Sequence, residues 1–147
     1  RYEVGEELTE GKYISIEPAD TFGVRYRLNY PPPIGEQEYT FVLDGAEHFK
    51  EEIAPARTFG FLKDAEKLSR MGLAGGGHLH NIILLDDKGV VNTELRFPDE
   101  FVRHKILDIL GDFYLLNRPI KGMVTANMTG HGENIALLRE VKKGMGL

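Results

Sequence analysis

Apolar and polar residues alternate along the first third of the chain, and a period of two predicts strands. Val24-Arg25-Tyr26-Arg27-Leu28-Asn29 offers one apolar face to a core and one polar face to water. Lys12 to Glu17 repeats the period, with Ile14 and Ile16 on one side. Tyr39 to Leu43 is rich enough in aromatic and β-branched residues for another strand. Pro31-Pro32-Pro33 cannot sit inside a central strand, so it marks a connection. Together these segments imply an antiparallel meander.

The period then lengthens. Leu62, Ala65, Leu68 and Met71 recur at helical spacing, and Gly72 is a natural stop for a helix over 62–71. A glycine-rich loop over 72–77 follows. Asn81 to Leu85 reads as a strand, and Asp86-Asp87-Lys88-Gly89 as a turn into Val90-Val91. The clearest helix spans Asp99 to Leu116, with Asp99 placed to cap it and Asn117 and Pro119 to end it. Ile120 to Asn127 predicts a strand, and Gly132 to Lys143 a closing amphipathic helix. No internal repeat or low-complexity tract interrupts the pattern. The expectation is a single α+β domain over residues 1–147: a largely antiparallel sheet with helices packed on one face, a two-layer sandwich.

Composition narrows the class. With 147 residues, 41% hydrophobic and 28% charged, the chain has the makings of one globular domain with a real core. No segment approaches the ~20 apolar residues of a membrane span, so no transmembrane segment is expected. Arg1-Tyr2-Glu3-Val4 does not resemble a signal peptide, and the start without methionine suggests a fragment or processed product. The absence of cysteine rules out disulfides and cysteine-based zinc sites and suits a cytoplasmic protein. A formal net charge of −5 argues against nucleic acid as a partner. An anionic ligand must therefore be met by a few placed cations.

The long helix carries the most informative polar residues. His104, Asp108 and Asp112 recur every fourth position and lie along one side, whereas Val102, Ile106, Ile109, Leu110, Phe113 and Leu116 occupy the rest. An imidazole and a carboxylate at i and i+4 can reach one metal ion. On spacing alone, a surface pair lending the helix modest support is the favoured reading, because two ligands are too few for a zinc site. His131 lies in Thr129-Gly130-His131-Gly132-Glu133, between a strand and a helix, where flanking glycines let a ligand approach; a loop histidine without a role is an equal reading of the residues alone. A helix N-terminus disfavours imidazolium, and a carboxylate such as Asp112 reverses that tendency. Thr58 offers a hydroxyl between apolar neighbours. His78 and His80 read as exposed loop residues, and His48 has no constellation around it.

Three stretches in this order closely resemble the UDP-3-O-acyl-N-acetylglucosamine deacetylase family of lipid A biosynthesis. They are Ala56-Arg57-Thr58-Phe59-Gly60-Phe61, Arg103-His104-Lys105-Ile106-Leu107-Asp108 running on to Gly111-Asp112, and Gly130-His131. The resemblance implies the C-terminal domain of a zinc-dependent amidohydrolase, with His104 and Asp108 as two of three protein ligands to Zn2+. It implies that the third ligand is a histidine of a preceding N-terminal domain, within a Glu-His pair that also supplies the catalytic glutamate. No such pair stands in this chain in the right context, so the chain alone is expected to be inactive or nearly so. His131 is implied as the cationic acid oriented by Asp112, and Thr58 as a donor to the oxyanion. Lys105 would meet the anionic nucleotide of a nucleotide-sugar lipid substrate, and Phe59 would give an apolar wall. The segment from Leu62 to Leu85 holds the place of a passage for the substrate's acyl chain.

Two other readings compete. One is a non-catalytic domain of the same fold that binds a nucleotide sugar or an acyl chain. The other is a different metal hydrolase that completes its coordination with His78 or His80.

Overall fold

The computed structural model of the chain describes residues 1–5, 11–70 and 80–147. Its main sheet has five strands: β1 (Tyr2–Val4), β2 (Tyr13–Pro18), β3 (Gly23–Tyr30), β4 (Gly35–Val42) and β7 (Gly122–Asn127), in the order β1-β2-β7-β3-β4. Each predicted strand in this sheet forms, but the meander does not. β7, from far along the chain, enters between β2 and β3, pairing antiparallel with the first and parallel with the second. Its alternation explains the position. Val124 and Ala126 are buried on the face shared with Ile14, Val24 and Tyr26, so a strand there completes the apolar surface. Gly122 suits the start of β7, where a Cβ would lie 2.9 Å from Ile16 Cδ1 and 3.1 Å from the Glu17 carbonyl and would push the isoleucine aside.

The opposite face of the sheet is polar. Arg25 and Arg27 of β3 and Glu36 and Glu38 of β4 are exposed, and Arg27 pairs with Glu36. Helices therefore cover one side alone. α3 (Glu100–Phe113) lies over β3 and β4, and α4 (His131–Gly144) over β1 and β2 and against α3. The architecture is the expected α+β two-layer sandwich with a mostly antiparallel sheet.

A second, parallel pair consists of β5 (Thr58–Phe61) and β6 (Ile82–Leu85). The turn after β6 forms as expected. Asp86 Oδ1 accepts the Lys88 and Gly89 amides at 2.8 and 3.0 Å, and Val90 returns to bridge Leu85. Leu62–Asp64 forms a 3-10 turn and α2 covers Ala65–Arg70; the rest of that predicted helix, the glycine loop and His78 lie outside the described residues. One helix, α1 (Gly45–Glu52), was not anticipated from the pattern.

The helical stretch that begins with α3 ends where expected, at Asn117, but its last turn tightens and its first lacks the expected side-chain cap. α3 itself runs to Phe113, followed by a 3-10 turn over Tyr114–Leu116 and a left-handed Asn117 (φ 54°) that closes it. Asp99 makes no side-chain cap, because its carboxylate instead accepts from Arg103 Nε at 2.7 Å. The structural weight at this end falls on the next residue. Glu100 is fully buried and takes the Arg57 amide at 2.9 Å, Arg57 Nε at 2.8 Å and the Arg96 amide at 2.7 Å. Arg57, itself 8% exposed, also donates to Thr93 Oγ1 and the Glu94 carbonyl.

Burial works against the Glu100 charge, but the Arg57 guanidinium and the two amides outweigh it and hold the carboxyl below its ordinary range. Glu100→Ala leaves Arg57 buried without its counter-ion and should cost about 3–5 kcal/mol in urea unfolding. A lowered carboxylate contributes its stability above an unfolded pKa of about 4.3 and loses it as pH falls through the folded value. The gap between wild type and Glu100→Gln should therefore close in acid and stay open at neutral pH. A midpoint unchanged by either substitution would contradict the clamp.

Candidate functional site

The clamp between Arg57 and Glu100 fixes residues 56–58 beside the first turns of α3. One consequence is that the Ala56 carbonyl accepts His104 Nδ1–H at 3.0 Å. A carbonyl can only accept, so the proton in this bond sits on Nδ1 and the other ring nitrogen, Nε2, is turned toward Asp108. Nε2 lies 3.2 Å from Asp108 Oδ1, with the two side chains 16% and 22% exposed. The helical spacing thus brings the pair together. A nitrogen lone pair and a carboxylate facing each other at this distance repel unless a proton or a metal cation lies between them.

One turn on, Asp112 meets the start of α4. His131 Nδ1–H donates to Asp112 Oδ2 at 2.8 Å, with Oδ1 at 2.9 Å. The imidazole is otherwise exposed, with Nε2 outward. Hydrogen bonding to Asp112 is the main reason that His131 titrates above its ordinary range; partial burial opposes it, and the Asp108 charge adds to it. The α4 N-terminus is satisfied independently. Glu133 Oε2 accepts the Gly130 amide at 2.9 Å and its other oxygen pairs with Lys12 at 3.3 Å.

Lys105 belongs to the same neighbourhood. Burial of its stem lowers the ammonium's pKa and Lys12 pushes the same way, against the opposing pull of Asp108, Glu133 and Asp112. Thr58 opens β5, half-buried and directly after Arg57. Phe59 is held edge-on between Tyr30 and Phe101, with ring centroids 5.4 and 5.1 Å away. Its ring is thus a rigid part of the packing above α3.

The other histidines stand apart. His80 is exposed in a turn. His48, on α1, stacks on Phe41 at 4.9 Å, a packing role. Among the described residues no group of three or more histidine, aspartate or glutamate side chains is arranged to hold a metal ion. His104 and Asp108 form a two-donor set with an oriented imidazole, which fits zinc as far as it goes and leaves coordination to be completed by another donor.

Sequence reasoning overlooked Asn134 and Thr129. Asn134 Nδ2 donates to Asp112 Oδ2 at 2.9 Å, and Thr129 Oγ1 donates to Asn134 Oδ1 at 2.9 Å. The available signal was an asparagine three residues after His131, on the buried side of α4. A separate cavity of about 430 Å³, lined in part by Phe22, Leu43, Leu110 and Phe113, shares no residue with this site.

Comparison with known proteins adds an independent line. The family described as "LpxC: UDP-3-O-acyl N-acetylglycosamine deacetylase" matches residues 3–143. A Myxococcus xanthus protein named UDP-3-O-acyl-N-acetylglucosamine deacetylase is 49% identical over 132 residues, covering 88% of this chain and 42% of the relative. Proteins of the same name from Anaeromyxobacter dehalogenans and Campylobacter fetus are 43% and 46% identical; each covers 92% of this chain, which spans 44% and 48% of them. The chain thus spans a little under half the length of these relatives.

The geometry at Asp112 predicts how His131 titrates. In NMR spectra its imidazole should titrate above the free value of about 6.5, and Asp112→Asn should remove the upward shift. A raised histidine stabilises the fold below its unfolded pKa and loses that contribution as pH rises through the folded value. An unshifted wild-type His131, or an unchanged titration in Asp112→Asn, would contradict the pairing.

Proposed function

The chain belongs to the UDP-3-O-acyl N-acetylglycosamine deacetylase family, and from that premise we propose that it forms the C-terminal half of a zinc-dependent deacetylase. The assembled enzyme hydrolyses the acetamide of UDP-3-O-(3-hydroxyacyl)-N-acetylglucosamine in lipid A biosynthesis, releasing acetate and the free amine. The observation that carries this reading is the meeting of His104 Nε2 and Asp108 Oδ1 at 3.2 Å while Nδ1–H is committed to the Ala56 carbonyl. A histidine tied in this way presents its remaining lone pair for coordination. The third ligand and the general-base glutamate come from an N-terminal domain, covalently joined or cleaved, so this chain alone binds zinc weakly and turns over little. We place the enzyme in the cytoplasm; no described helix is long and apolar enough to cross a membrane.

When bound at His104 and Asp108, zinc supplies Lewis acidity toward water and the acetamide carbonyl. The remaining chemistry falls to side chains of this chain. His131, with Nδ1–H held by Asp112, presents Nε2–H of its imidazolium outward and can protonate the departing amine nitrogen. The hydrogen bond to Asp112 raises its pKa and so favours the protonated ring. Thr58 donates a hydrogen bond where negative charge develops on the carbonyl oxygen. Lys105 meets the anionic nucleotide portion, and the fixed ring of Phe59 offers an apolar wall. The segment from Leu62 to Leu85 borders the acyl chain; a cavity of about 180 Å³ lies at its two described ends, lined by Phe61, Leu62 and Leu85 together with the charged Lys63, Asp86 and Asp87.

A non-catalytic binding domain has no need for an oriented imidazole beside a carboxylate and, one turn further along α3, a second carboxylate that holds the raised His131 at the start of α4. The test uses the assembled enzyme. His131→Ala should lower kcat by about 10²–10⁴-fold while zinc stays bound. Asp108→Ala should weaken zinc by about tenfold or more in competition with a chelator. Loss of zinc from His131→Ala, or unaltered zinc affinity in Asp108→Ala, would sink these assignments.

A further inference from the structure

Asp112 accepts two donors. One is His131; the other, Asn134, is buried and takes no part in the chemistry outlined above. A carboxylate only accepts, so the amide nitrogen of Asn134 must face Asp112 and its oxygen must face the Thr129 hydroxyl, which then donates. Asn134 and Thr129 are each 1% exposed. The Thr129 carbonyl in turn accepts the buried Tyr26 hydroxyl of β3 at 2.7 Å. Thr129 is thus held to β3 through its carbonyl, and from its hydroxyl hydrogen bonds run through Asn134 and Asp112 to the exposed ring of His131. Every polar atom of the buried amide side chain has a partner aligned with this run, and a leucine would fill the same space without the cost of burying an amide.

We propose that Asn134, anchored by Thr129, is a positioning residue that holds the Asp112 carboxylate so that His131 keeps its proton on Nδ1 and turns Nε2 toward the reacting atoms. Its importance for turnover rests on the reading of His131 as the acid. Without the second donor the carboxylate is free to rotate, and a solvent-facing imidazole returns to the Nε2–H tautomer that free histidine prefers. The charged groups with the largest effect on His131 are Asp112, Asp108 and Lys105, all on α3, and substitutions at Asn134 or Thr129 leave all three in place.

Nitrogen-15 NMR of histidine-labelled chain tests this directly through the tautomer of neutral His131. In wild type the proton is expected on Nδ1. Asn134→Ala should shift the ring toward Nε2–H and move its titration down toward the ordinary histidine range. Thr129→Val, which keeps the amide, should do the same to a smaller degree, and the double variant should add little beyond Asn134→Ala. In the assembled, zinc-loaded deacetylase, Asn134→Ala should reduce kcat about 10- to 100-fold, with KM and zinc content changed less than about twofold. If Asn134→Ala does not fold, Thr129→Val decides the matter. An unchanged tautomer in the folded variants overturns the proposal, as does a shifted tautomer with unaltered kcat. A shifted tautomer in an assembly whose wild type does not deacetylate would refute the proposed function and leave the positioning role of Asn134 standing.

Discussion

The buried ion pair between Arg57 and Glu100 sets the geometry on which the rest of the molecule depends. It ties a segment that leads into β5 to the first turn of α3, across 43 residues of sequence. Such a pair is costly to desolvate and is maintained only when its remaining hydrogen-bonding capacity is met. Here it is met, by two backbone amides on the carboxylate and by Thr93 and the Glu94 carbonyl on the guanidinium. The fixed register that results puts the Ala56 carbonyl against His104. The same clamp that stabilises the fold therefore also decides which ring nitrogen of His104 is free.

From that anchor, α3 carries two separate polar units on successive turns. The first, His104 with Asp108, is suited to hold a cation. The second, Asp112, faces the start of α4 and holds a histidine that carries a proton. The two lie close enough for the Asp108 charge to add to the elevation of His131, so the units are electrostatically linked without sharing a ligand. The apolar circumference of α3, with Phe101, Val102, Ile106, Ile109 and Phe113 buried, locks the helix onto the sheet. The polar stripe is thereby kept from rotating.

Much of this was legible in the order of residues, and the failures share a cause. Periodicity located the long strands and helices, because a strand or helix with one buried face writes its period into the chain, but the short elements β1, α1 and β5 left no such mark. The spacing of His104, Asp108 and Asp112 likewise placed the stripe on one side of a helix. What periodicity cannot encode is which distant segments meet. β7 between β2 and β3 was missed for that reason, as was the pairing of Arg57 with Glu100. Asp99 was assigned a side-chain cap that it does not make: its carboxylate is taken by Arg103, and the amides of Glu100 and Val102 donate instead to the Phe97 carbonyl and to Gln37 Oε1. Asn134 was overlooked because a lone asparagine on a helix ordinarily signals little; only its burial and its two partners single it out.

The central claim is that one cation sits between His104 and Asp108, with Nε2 as the histidine donor. Anomalous diffraction at the zinc edge, on crystals of the proposed assembly containing this chain grown with zinc, addresses it most directly. The account predicts an anomalous peak about 2.0–2.2 Å from both His104 Nε2 and an Asp108 oxygen, with Nδ1 still bonded to the Ala56 carbonyl. A peak on His80, on His131 or on Nδ1 of His104, with Asp108 uncoordinated, would contradict it.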